Sequence, residues 1–178
     1  LGFTPAQSAL VFTVYGLAAA IAAWSSGVVA EIITPQKAMK IGFCVWVVMH
    51  VLFMELGLGL KNFPMMLLFY GIRGLAYPLF IYSFVMLIVQ TVPKHQVSSA
   101  MGWFWAMYSI GIGCIGSYLP SFSIPYMGER GTLWFAIAWV IVGGLIAMFC
   151  LRNVGAESEK AKLTTKEKIT ELTRAVTI

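Results

Sequence analysis

Residues 68–84 read LFYGIRGLAYPLFIYSF, and Arg73 stands in the middle of an otherwise apolar, aromatic-rich stretch. The apolar run around it covers about residues 64–91, enough for a membrane-crossing helix, which needs about 20 residues. Arg73 lies about 14 Å along a helix that starts at Pro64, at a rise of 1.5 Å per residue. That depth is close to the middle of a bilayer core about 30 Å thick. A central arginine costs about 2.5–3.5 kcal/mol on insertion scales, so it must face a bundle interior or a wet cavity and find partners there. Two readings follow. Arg73 either holds the bundle together through helix ends and carbonyls, or it serves a solute.

The rest of the chain fits a membrane setting. Hydrophobic residues make up 60% of the 178 and charged residues 11%, against about 25% charged in soluble domains. A water-soluble globule of this size cannot hide so much apolar surface. Disorder, a collagen-like fibre and a disulfide scaffold are excluded by the same balance. The C-terminal residues 152–178 hold ten of the 19 charged side chains but only +2 of the net +5. No basic, aromatic-interleaved face exists, so a nucleic-acid partner is not expected. Cys44, Cys114 and Cys150 sit in apolar stretches with no CxxC pair and read as inert packing residues.

Five runs read as spans, at about residues 7–30, 39–58, 64–91, 98–119 and 132–151. They define an all-α integral membrane bundle over residues 1–152. Residues 153–178 form a polar cytoplasmic linker, in which Thr164 and Glu167 can open a short helix as a capping box. Pro35, Pro64, Pro93, Pro120 and Pro125 lie near span ends, and Pro78 lies inside a span. Lys37, Lys40, Lys94 and Arg152 fall on one side of the membrane, and Lys61 and Arg130 on the other. The first side is expected to be cytoplasmic. The chain then starts outside and ends inside, begins without Met, and is expected to lack at least one preceding span.

Tyr70, Arg73 and Tyr77 are spaced i, i+3, i+7 and share a helix face. Trp105 and Tyr108 share a face of the next span. Aromatic rings pack on the C–H face of a sugar or polyol while Tyr O–H and Trp N–H bond its hydroxyls. The same residues also suit ordinary packing or an interfacial aromatic belt. His50 reads as a neutral, hydrogen-bonded packing histidine, with a proton relay as the alternative. Gly111, Gly113 and Gly116 match GxGxxG, but no strand precedes them and no acid follows at the needed distance. They read as a close-packing surface, as do Ala19, Ala23 and Gly27. No metal-spaced His/Cys/Glu cluster, nucleophile elbow or HExxH occurs. No metal, cofactor or enzymatic chemistry is therefore expected.

The loop Gly27-Val-Val-Ala-Glu31-Ile-Ile-Thr34-Pro-Gln36-Lys37 resembles the signature of the major facilitator superfamily, Gly-x-x-x-Asp/Glu-Arg/Lys-x-Gly-x-Arg/Lys-Arg/Lys. Gly27, Glu31 and Lys37 match it; Ile32, Thr34 and Gln36 depart. On this mapping the five spans are the second to sixth of an N-terminal six-helix half. YGLAAAIAAWSSGVVAE (15–31), residues 68–84 and GWFWAMYSIGIGCIGSYLPSF (102–122) are similar to the polyol permease group of that superfamily. The resemblance implies a carrier of a sugar alcohol such as ribitol or D-arabinitol. It further implies proton symport with alternating access, a multi-pass place in a cell inner membrane, and as partners the absent first span and C-terminal half. Gly27, Glu31 and Lys37 become a gating loop, with Glu31 as a charge clasp between helices. Tyr70, Arg73, Tyr77, Trp105 and Tyr108 become substrate-binding candidates. An organic-anion carrier with Arg73 as carboxylate partner, a membrane enzyme and a structural subunit are the competing readings.

Overall fold

A computed structural model describes residues 3–151, and the tail expected to be a linker lies outside them. Helix α1 (Pro5–Ile33) opens with a capping box between Thr4 and Gln7. Helix α2 (Pro35–Leu52) continues through a π-helical end, Phe53–Gly59. Helix α3 (Phe63–Thr91) starts at Asn62, whose side chain accepts from the Met65 N–H at 3.2 Å. A short 3-10 turn, Lys94–Gln96, leads to α4 (Val97–Ser109), a π-helical segment Ile110–Ile115, and α5 (Gly116–Cys150). The first three expected spans lie within α1, within α2 with its π-helical end, and within α3, apart from small differences at their ends.

The fourth and fifth behave differently. The loop expected around residues 120–131 is helical, with Pro120 and Pro125 inside α5. Proline already holds a helical φ, and its cost is one lost hydrogen bond, which does not end every helix. The break falls at Gly128, whose φ of 69° and ψ of 175° suit a residue without Cβ. The helical run Lys94–Cys150 holds 57 residues, about 85 Å if straight, far more than one crossing. It doubles back instead. Arg130 meets Glu55 near the end of α2, and Gly144 meets Phe43 nearer its start. The last part of α5 therefore runs antiparallel to α2.

The core lies among α1, α2 and α3. Val11, Phe53, Met54 and Met66 form a buried cluster at the end expected to face outward. Close approach comes from glycines on α3 and α2. A Cβ on Gly74 would stand 2.6 Å from the Tyr15 carbonyl oxygen, and one on Gly42 2.7 Å from the Phe80 nitrogen. This corrects the expected close-packing surfaces. Gly27, Gly111 and Gly113 have nothing within 4 Å. Glycine allows contact only where a partner helix crosses it, and the crossing lies at Gly74. The cysteines are a second correction: all three are exposed on the outside of the bundle rather than packed.

Candidate functional site in the aromatic cage of Arg73

Gly71 and Gly74 flank Arg73 and let α1 lie close against α3. That approach brings Tyr15 over the arginine. The guanidinium carbon stands 5.8 Å from the Tyr15 ring centre, 4.9 Å from that of Tyr70, and 4.3 Å from that of Trp46 on α2. Desolvated cation–π contacts of this kind are worth about 2 kcal/mol each. They offset much of the cost of placing a guanidinium at this depth. One helical turn beyond Trp46, His50 stacks on it with ring centres 5.5 Å apart and planes 5° apart.

Arg73, Tyr70 and His50 line a cavity of about 430 Å³ together with Ser8, Phe12 and Glu129. Trp46 lines a second hollow of about 290 Å³ with Phe43, Tyr77, Tyr108 and Gly144. Trp46 thus stands between the two. In the second hollow the Tyr77 and Tyr108 hydroxyls hydrogen-bond to each other and join α3 to α4. The i, i+3, i+7 face is real, but it is shared out: Tyr70 and Arg73 serve the first cavity and Tyr77 the second.

Trp105 lines neither cavity. It is 48% exposed and packs edge-on against Tyr108 at 5.4 Å. The expected gating loop lies at the far end of the bundle from the first cavity. There Gly27 faces open space and Lys37 is exposed, while the Glu31 side chain lies outside what the structure describes. At the joint of α1 and α2, Thr34 takes a φ of 80° at the position where the signature has glycine. His50 is a further correction. It is 94% buried by its 6% exposure, yet its Nδ1 has no hydrogen-bond partner, contrary to a satisfied packing histidine. Arg73 Nε and Trp46 Nε1 are likewise buried and unpartnered among the described residues.

Sequence reasoning missed Tyr15 and Trp46. Both lie on helices other than that of Arg73, and one-dimensional spacing carries no signal of a contact across helices. An aromatic residue at mid-span on each neighbouring helix was the available hint.

No solved structure matches the chain. A D-arabinitol transporter and a ribitol transporter, both from Klebsiella pneumoniae, are each 59% identical over all 178 residues, which cover 42% of either relative. An alpha-ketoglutarate permease of Bacillus subtilis is 34% identical over 177 residues, 99% of this chain and 40% of the permease. The chain thus spans about two fifths of the length of these relatives. The family model of the Major Facilitator Superfamily matches residues 1–177. With its long apolar helices and this match, the chain is a multi-pass membrane protein and belongs to the major facilitator superfamily.

Proposed function

We propose that the intact protein is a secondary carrier of a sugar alcohol, ribitol or D-arabinitol being the leading candidates, and not an enzyme. The observation that carries this is Arg73, caged by aromatic rings and lining a cavity instead of lipid. Aromatic faces beside hydrogen-bond donors suit a hydroxyl-rich solute. The polyol transporters at 59% identity support the same substrate class. Arg73 anchors solute hydroxyls, Tyr70 shapes the cavity beside it, and Tyr77 and Tyr108 offer hydroxyls in the adjoining hollow. Trp105 supports Tyr108 from outside. Gly27, Glu31 and Lys37 form the gate at the cytoplasmic face. Proton symport across a cell inner membrane completes the proposal and rests on the family resemblance alone.

A carboxylate carrier is the second reading. A guanidinium with no carboxylate partner among the described residues favours it, as does the similarity to an alpha-ketoglutarate permease. Uptake of labelled ribitol by the intact protein in proteoliposomes separates the two. Competition by D-arabinitol and not by 2-oxoglutarate is the expected result. Competition by 2-oxoglutarate alone overturns the polyol assignment. Loss of uptake on adding a protonophore supports proton coupling.

A further inference from the structure

We propose that Glu129 is a specificity residue of the solute cavity, a fixed negative charge at its mouth that turns carboxylates away from Arg73 and lets neutral polyols pass. This rests on the polyol reading above and extends it to a residue outside the substrate-binding set. The first cavity runs from Arg73 toward the end of the bundle away from residues 27–37. Ser8 lines it from the first turn of α1, Leu58 from the π-helical end of α2, Met66 from the first turn of α3, and Glu129 from the position after the Gly128 break. Arg73 stands about two helical turns deeper along α3 than Met66. Glu129 is exposed, whereas Arg73 is half-buried. The cavity therefore carries a cation at its base and a carboxylate at its mouth.

The charge of Glu129 is not cancelled by its neighbours. Arg130, the next residue, is engaged by Glu55: its Nη2 donates to both carboxylate oxygens, at 2.7 and 2.6 Å. No salt bridge joins Glu129 to Lys61 or to Arg73 among the described residues. The same Arg130–Glu55 pair pins the chain one residue past Glu129 to the end of α2, which holds the carboxylate at the cavity wall. A guanidinium alone in a cavity favours an anion over a neutral solute. A carboxylate in the same wall opposes that preference, because it repels a solute carboxylate by direct Coulomb interaction. A neutral polyol feels no such repulsion, and its hydroxyls donate to carboxylate oxygens. Glu129 thereby turns a cavity built round a cation toward polyols and away from carboxylates.

Two substitutions in the intact protein separate this role from packing. Glu129→Gln removes the charge and keeps the shape, whereas Glu129→Asp keeps the charge. Uptake of labelled ribitol into proteoliposomes is competed with 2-oxoglutarate. In the Gln variant the concentration of 2-oxoglutarate that halves uptake should fall at least about tenfold, the size of one charge repulsion across a cavity. The ribitol KM should change less than about threefold, and Asp should behave as wild type. The difference between Gln and wild type should shrink in about 1 M salt, where the Debye length is about 3 Å, an effect that a packing role would not produce. Unchanged inhibition in Gln, an Asp variant that behaves as Gln, or a difference that salt does not reduce overturns the proposal. Loss of ribitol uptake in Gln with Asp intact also overturns it, because the carboxylate then serves the polyol itself. A wild-type protein that takes up neither ribitol nor D-arabinitol overturns the polyol reading and this one with it, whereas a wild type that takes up ribitol beside an unchanged Gln variant overturns this one alone.

Discussion

Helices α1 to α3 and the α4–α5 arm use the same apolar vocabulary in opposite ways. In the first group glycines stand against backbone, and Ala30, Ala38, Met39 and Leu87 are almost wholly buried. In the second, α4 buries no residue, its two following glycines face open space, and Trp103, Ile112, Tyr118 and Phe122 are exposed. The first three helices therefore supply the core that positions Arg73 and its rings. The arm touches that core through a few contacts, chiefly Tyr108 on Tyr77, Arg130 on Glu55 and Gly144 on Phe43.

The largest expected effect tests that contrast directly. Gly74→Val forces a side chain against the Tyr15 carbonyl and the Ala18 methyl. It should lower stability by about 3 kcal/mol, the upper end for overpacking. Gly113→Ala, with open space around it, should be neutral or gain up to about 1 kcal/mol from helix propensity. Thermal unfolding in detergent measures both. Equal losses would break the contrast and show that the arm is packed as tightly as the core.

Two of the three positive-φ joints give a subtler pair. Gly128 at 69° joins the halves of the arm, and Thr34 at 80° joins α1 to α2. Such backbone costs a residue bearing Cβ about 1–3 kcal/mol. Gly128→Ala should therefore lose about 2 kcal/mol, whereas Thr34→Gly should gain about 1 kcal/mol, since glycine's chain entropy takes back part of the relief. A loss on Thr34→Gly would mean that the threonine side chain holds the joint by contacts that outweigh its backbone.

The smallest effect lies at the seam. Tyr77→Phe, Tyr108→Phe and the double variant form a cycle whose coupling should be about 1 kcal/mol, one neutral hydrogen bond between part-buried hydroxyls. Additive losses would detach α4 from the core.

The sequence carried the fold where the signal was local. Apolar length placed α1, α2 and α3 because each needs only its own residues to be recognised. The connection expected at 120–131 does contain the break, at Gly128, but the rest of it is helical because prolines punctuate helices only on average, and Gly128 carried no mark beyond being one glycine among 17. The site was legible through Arg73, whose burial cost is large enough to demand an explanation from one position alone. Its cage was not, because Tyr15 and Trp46 reach Arg73 only after α1 and α2 dock on α3. Gly27 shows the converse failure: a small residue permits close approach but cannot say which helix arrives.

Arg73 carries the whole account, and Arg73→Met tests it most directly. Methionine fills the cage without charge or hydrogen-bond donors. Calorimetric titration of the intact variant with ribitol should show affinity lowered roughly tenfold to hundredfold, the size of a hydrogen bond from a charged donor. Its helix content and unfolding temperature should stay close to wild type. Wild-type affinity in a folded Arg73→Met protein would contradict the assignment, leaving the guanidinium as a strut between helices and the solute elsewhere.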